Sequence, residues 1–246
     1  MSVWESSDVT ETLRIVETKD VSVSELGSVY DEILAPSFRS AELESRATVL
    51  GALTADNSVP GGLLAVDPAG LIVGTIIGGW FAECRVMLIS YLAVRPEYRG
   101  RGVGKLLLAE AFPLWRARFA PALILGEVED PRYYRERDPL GFGDADARLR
   151  LYGALGARIL AIPYFQPAIS RLQPRVYHML LMVFDADPSA MKGDNAVDAK
   201  TVSCFIDEYV LRSEVRPDDD DAKSLRDALR GKSGIPLLSP ADYLQS

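Results

Sequence analysis

The chain has 246 residues, 48% hydrophobic and 25% charged, which suits one domain with appendages or two small ones around a sizeable core. A formal net charge of −8 argues against a nucleic-acid-binding surface and is compatible with a cationic or amine-bearing partner. Cys84 and Cys204 lie far apart and form no metal-ligand spacing, so no metal is expected. With two cysteines and no recognisable signal peptide, a reducing cytoplasm is the expected compartment. The most apolar window, Gly62–Ala82, is interrupted by Asp67 and Pro68 and is not a membrane span.

In chain order, Met1–Thr10 reads as a polar lead-in and Thr12–Glu17 as a first strand. Ser24–Leu34 has apolar residues at helical spacing (Leu26, Val29, Tyr30, Ile33), and Ala41–Leu53 reads as a second helix. Asn57–Gly62 is turn chemistry. Leu63–Val66 and Leu71–Ala82 flank the turn Asp67–Gly70 as a hairpin, and Gly78-Gly79 suggests a bulge or a close backbone approach. Val86–Val94 is a mostly apolar central strand. Gly102–Phe119 is a helix with Pro113 inside it, expected to kink there. Ala122–Val128 is the next strand, and Asp130–Asp144 a polar, aromatic-bearing connection. Asp144 caps a helix over Ala145–Leu155, with Gly156 as its C′ residue. Arg158–Ile162 is a strand, Pro163–Pro174 a loop, and Val176–Asp185 a strand apolar on both faces and therefore central.

After Asp187 the composition changes. Ser189–Asp198 reads as a linker, Ala199–Val210 and Ala222–Leu229 as helices, and the last residues as a tail. Asp218–Asp221 reads as a solvated helix N-terminus. The expected domains are therefore 1–187, and 188–246 as linker and helical extension. The order of elements is that of an α/β layered sheet.

The densest chemical signal is Leu88–Lys105. A buried strand ends at Pro96 and runs into Arg99-Gly100-Arg101-Gly102-Val103-Gly104-Lys105 at the start of a helix. Glycines let the main chain approach an anion, and amides at a helix N-terminus make an anion site. The phosphate loop of nucleotide hydrolases needs glycine at 99 and Ser or Thr at 106. Those positions are Arg99 and Leu106. A dinucleotide-binding loop needs a third glycine at 105, where Lys105 stands. The pattern Arg-x-x-Gly-x-Gly, preceded by Leu92-Ala93-Val94, resembles the pyrophosphate loop of the GNAT superfamily of acyl-CoA-dependent N-acyltransferases.

A second stretch supports the resemblance. Leu151-Tyr152-Gly153-Ala154-Leu155-Gly156-Ala157 is similar to the family's late helix, Leu-Tyr-x-x-x-Gly-Phe, with Ala157 in place of the aromatic. The likeness covers about Leu13–Asp185. It implies a mixed, mainly antiparallel twisted sheet flanked by helices, an acetyl-CoA or other acyl-CoA cofactor, and a small-molecule or peptide amine as acceptor. It further implies cofactor binding by Leu92, Ala93, Val94, Arg99, Gly100, Arg101, Gly102, Val103, Gly104 and Lys105, and Tyr152 as general acid. The amides of Leu92–Val94 would polarise the thioester carbonyl. Many members carry a carboxylate just before the Leu-x-Val strand end; here Tyr91 stands in that place.

Acyl transfer needs a neutral amine and a protonated leaving thiolate. A phenol, with a pKa of about 10, can donate to a thiolate whose acid has a pKa of about 8.5. For the base, Glu127 and Glu129 lie two apart on one strand and share a face. They could bind an ammonium and take its proton, and like charges so close would raise one pKa. Tyr91, Tyr133, Tyr164 and His178 are the acceptor-binding candidates. Tyr133, Tyr134, Tyr164 and Phe165 are loop aromatics that line a pocket or lid the core. His178, the single histidine, reads as a core residue or a second-choice base. The alternative to an enzyme is a non-catalytic acyl-CoA-binding or regulatory module. The C-terminal helices are read as the contact of a homodimer or a clamp on the sheet.

Overall fold

The computed structural model describes residues 12–54, 61–134, 144–170, 173–213 and 219–245. The predicted lead-in, most of the turn at 57–62 and most of the 130–144 connection lie outside these residues. Nine strands form a mixed, mostly antiparallel sheet in the order β1-β2-β3-β4-β5-β7-β6-β9-β8. Two compact units divide the chain. One comprises the described residues up to Ser37, Ser45–Gly78 and Tyr91–Arg118; the other comprises Phe38–Glu44, Gly79–Ser90 and the chain from Phe119 onward. Strands β3 (Ile72–Phe81) and β4 (Val86–Val94) run through both.

In the first unit, β1 (Arg14–Glu17) pairs antiparallel with β2 (Leu63–Val66), which pairs in turn with β3. Asp67 shapes the β2–β3 turn: its carboxylate accepts from the amides of Ala69 at 3.0 Å and Leu71 at 2.8 Å. Gly70 supplies the left-handed φ of +87° that the turn requires. Helix α1 (Val23–Val29) opens on a capping box between Ser22 and Glu25. It continues as a π-helical turn over Tyr30–Leu34, so the predicted helix is real but widened in its last turn. Helix α2 (Arg46–Thr54) starts later than the sequence suggests, because the hydroxyl of Ser45 accepts from the amide of Thr48 and caps the helix there. Helix α3 (Val103–Phe119) runs through Pro113 and buries Val103, Leu107, Leu108, Ala111 and Trp115. It packs close to the sheet at Gly74, where a Cβ would stand 3.0 Å from Val103 and 3.1 Å from the Ala93 carbonyl. Of the two readings of Gly78-Gly79, a bulge or a close approach, Gly79 fits the second: a Cβ there would lie 3.1 Å from the Ser90 hydroxyl.

In the second unit, the start of β4 pairs parallel with β5 (Leu123–Glu129), and β5 pairs antiparallel with β7 (Met179–Ala186). Strand β6 (Arg158–Leu160) pairs antiparallel with β7 and with β9 (Gly234–Leu238), which pairs with β8 (Ala196–Asp198). Side chains alternate across each strand. Leu123, Leu125, Leu181 and Val183 face a core with Val202, Phe205 and Ile206 of α5 (Ala199–Ser213) and Leu225 of α6 (Asp220–Leu229). Val128, Leu180 and Met182 face the opposite way, onto Leu149 of α4 (Ala145–Ala154). Strand β7 is thus central and apolar on both faces, as its sequence predicts. Helix α4 has the expected ends: the Asp144 carboxylate accepts from the amides of Asp146 and Ala147, and Gly156 takes φ +90°.

Four expectations are corrected here. The stretch read as a linker contains β8, and the stretch read as a tail contains β9 and the short helix α7 (Pro240–Tyr243), so residues 188–246 add strands as well as helices. The strand expected from Val176 begins at Met179, because His178 has a left-handed φ of +60° that interrupts extended backbone. His178 is therefore exposed and not a core histidine. No helix among the described residues is long and apolar enough to cross a membrane.

Candidate active site

Strand β4 ends at Val94, and Arg95 returns the chain to β3: its amide donates to the Val73 carbonyl at 2.9 Å and its guanidinium to the Ile72 carbonyl at 2.7 Å. A 3-10 turn over Pro96–Tyr98 follows. Gly100 and Gly102 then take φ of +74° and +83°, values that a residue with a Cβ adopts only at a cost. The first α3 bond within this turn runs from the Leu106 amide to the Gly102 carbonyl. The amides of Val103, Gly104 and Lys105 precede that bond and have no carbonyl of their own helix to meet, the condition for an anion-binding helix start. No packing demand explains Gly104, since a Cβ there would only reach ordinary contact with Val94 at 4.0 Å. The absent side chain leaves the first turn open.

The basic residues of the loop differ in their contacts. Arg99 donates to the Val94 carbonyl at 3.2 Å and to the Ser37 hydroxyl at 3.4 Å, bracing the loop against its own strand and a distant segment. Arg101 is exposed and lies over the Tyr98 ring, 5.4 Å from its centroid, while Tyr98 donates to Asp67 at 2.8 Å. Lys105 is exposed on the first turn of α3. Leu92 and Val94 are half-buried, and Tyr91 and Ala93 are buried. This part of the chain offers amides and cations to a multiply charged anion such as a diphosphate.

The other predicted site residues lie in the second unit. Glu127 and Glu129 stand on β5 with the same parity, as expected, yet they have different surroundings. Glu127 accepts one hydrogen bond on each carboxylate oxygen, from the Tyr164 hydroxyl at 2.5 Å and the Tyr209 hydroxyl at 3.2 Å. Burial pushes its pKa up to about 7, against the lowering effect of these hydroxyls, and the nearby charge of Glu42 adds to the rise. The upward direction agrees with the sequence reading, but its cause is burial and Glu42 rather than Glu129. Glu129 is buried and ion-paired, to Arg39 and, at 3.2 Å, to Arg148. Arg39 also pairs with Glu42 at 3.2 Å and lies over the Tyr134 ring. Burial, then the charge of Glu129, raises the Glu42 pKa as well.

Tyr152 lies on α4 with its ring edge-on to Phe184, centroids 4.9 Å apart, at the border of the Leu149 cluster. Burial raises its pKa and keeps the phenol protonated; Arg148 opposes the shift. Tyr133 and His178 stack on each other at 3.8 Å, both exposed. Tyr164 is buried and committed to Glu127, and Phe165 is core, so neither lines an open loop. Burial and Glu127 hold the Tyr164 pKa well above the ordinary phenol range. Cys84 and Cys204, distant in sequence, meet beside Glu208, and burial pushes the Cys84 thiol up, away from the thiolate a nucleophile needs.

Sequence reasoning missed Arg39, Glu42, Arg148 and Tyr209. The first three had no local pattern to mark them. Tyr209 was visible only as part of the apolar stripe of α5, and its partner Glu127 is 82 residues away.

The family profile described as "Acetyltransferase (GNAT) domain" matches residues 60–156, from the β2 strand through the loop and Tyr152. That span carries the chain's similarity to the GNAT superfamily. An acetyltransferase of Photorhabdus laumondii subsp. laumondii is 37% identical over 67 residues, covering 27% of this chain and 46% of that protein. The chain thus spans about half the length of the curated relative it matches. Among solved structures, a GNAT-family protein of Bacteroides thetaiotaomicron aligns with TM-score 0.50 and 19% identity over 72% of this chain and 89% of its own. A GNAT phosphinothricin acetyltransferase of Sinorhizobium meliloti, solved with AcCoA, aligns with TM-score 0.50 and 17% identity over 76% of this chain and 95% of its own. These two likenesses establish the GNAT fold.

Proposed function

We propose that this protein is an acyl-CoA-dependent N-acetyltransferase of the GNAT superfamily that moves an acetyl or other short acyl group to a primary amine of a small molecule or peptide. The observation that carries the reading is the glycine-rich start of α3, where Gly100 and Gly102 are left-handed and Gly104 leaves the amides of the first turn uncovered. Val103, Gly104 and Lys105 would hold the diphosphate of coenzyme A through their amides, with Arg101 and Lys105 adding charge. Acyl-CoA, when bound, supplies a thioester carbon open to attack.

The chain's own residues then divide the proton work. The acceptor arrives as an ammonium and must lose a proton before its lone pair can attack. Glu127, titrating near neutral pH, accepts that proton. Main-chain amides at the Leu92–Val94 strand end donate to the carbonyl oxygen as it gains charge. As the C–N bond forms and the C–S bond breaks, Tyr152 gives its phenolic proton to the departing thiolate, and the phenol is restored by the proton that the newly bonded nitrogen sheds. The transfer is direct, and the raised thiol of Cys84 speaks against a covalent acyl-cysteine there.

Calorimetric titration with acetyl-CoA, followed by a thiol-release assay over a panel of primary amines, tests this reading. Binding together with thiol release dependent on both acetyl-CoA and one amine class is the expected result. Binding without release for any amine would favour a regulatory acyl-CoA-binding module. No binding at all would remove the loop from the assignment.

A further inference from the structure

Glu127 is held by two phenols from opposite directions in sequence. Tyr164 comes from the segment between β6 and β7 and donates to Oε1 at 2.5 Å. Tyr209 comes from α5, beyond the 60–156 span of the GNAT profile, and donates to Oε2 at 3.2 Å. The parity of β5 explains the second contact: Glu127 points to the same side as Leu123 and Leu125, the side that α5 covers. The Tyr209 ring is fixed in place. It lies edge-on to Phe81 at 5.5 Å and tilted to Phe205 at 5.4 Å, and the neighbouring α5 residues Val202, Phe205 and Ile206 are fully buried. The third group that bears on Glu127 is Glu42, from the Phe38–Glu44 segment, with Arg39 beside it. Among the described residues the charge that bears on this carboxylate is the like charge of Glu42, so the two hydroxyls are what favour its ionised form.

We infer that Tyr209 is a positioning residue: together with Tyr164 it orients the Glu127 carboxylate and sets the pH at which that group accepts a proton, so the proton-accepting centre is completed by helix α5. The inference rests on the acetyltransferase reading only in taking Glu127 as the base. Hydrogen bonds to the charged form of an acid lower its pKa, so removing one raises it. In Tyr209→Phe the midpoint of Glu127 should rise by about one pH unit, and the acid limb of kcat/KM should move up with it. Activity should fall about tenfold below pH 6 and converge with the parent chain at high pH.

The decisive measurement is the titration of the Glu127 carboxyl carbon by NMR in the full chain, assigned against Glu127→Gln. It requires no turnover, so it stands apart from the acetyltransferase reading. Absence of acetyl transfer to any amine would fell that reading alone. An unmoved Glu127 midpoint in Tyr209→Phe would overturn this inference, even in an active enzyme. Should Tyr209→Phe fail to fold, 3-fluorotyrosine at position 209 takes its place, since it is a more acidic phenol of nearly the same shape. It donates more strongly and should lower the midpoint; no downward shift overturns the inference.

Discussion

From Val94 to Lys105 the chemistry lies in the main chain. Consecutive residues turn at two left-handed glycines and present amides at the head of α3, and the contacts from Ile72, Val73 and Ser37 brace the turn without supplying its anion-facing groups. Around Glu127 the chemistry lies in side chains that the fold collects from afar: Glu42, Tyr164 and Tyr209 come from three separate stretches of sequence. A main-chain anion site depends on local conformation and tolerates side-chain change. A buried carboxylate depends on every neighbour, because each one alters the balance between its charged and neutral forms.

The difference is open to direct attack, starting at the carboxylate. Glu127→Gln should lower kcat by about 10²–10⁴-fold at pH 8, with acetyl-CoA affinity unchanged in calorimetry. A retained rate would move the base elsewhere. The same residue should mark the stability curve. Its folded pKa of about 7 lies above the ordinary 4.5, so the folded state holds the extra proton between those values. Stability should therefore fall as pH rises from about 4.5 through 7 and level off above. Each pH unit of displacement is worth about 1.4 kcal/mol, so the loss should be about 3 kcal/mol. Urea melts across that range check it, and Glu127→Gln should lack the decline. Tyr152→Phe should cut turnover by about ten- to a hundredfold with little change in acetyl-CoA affinity; unchanged turnover would take Tyr152 out of the mechanism. At the loop, Arg101→Glu should weaken acetyl-CoA binding by about tenfold, since one charge beside a diphosphate is reversed. Equal affinity would leave recognition to the amides alone.

The same contrast decides what the sequence could disclose. Arg99–Lys105 was legible because its glycines, its preceding strand and its helix are adjacent, and the Asp144 cap and Gly156 C′ residue were legible for the same reason. The order of elements from β1 to β7 also followed from local periodicity. Strand β9 escaped notice because Pro236 lowers its strand signal, and because its partners, Leu160 and Ala196, are fixed only by the fold. His178 was misread as part of the strand because no neighbouring residue type announces its left-handed backbone. Arg39 and Arg148 are ordinary surface cations in sequence; only the fold brings both to Glu129.

The slot that β9 fills beside β6 bears on how the protein can be trimmed. Ile159 and Leu160 use one side of their ladder on Leu238 and Leu237. A recombinant fragment ending near Asp187 would keep the family motifs but leave that row of amides and carbonyls bare, a template for pairing with another copy. Such a fragment would self-associate, and a soluble minimal version must retain the chain at least through Leu238.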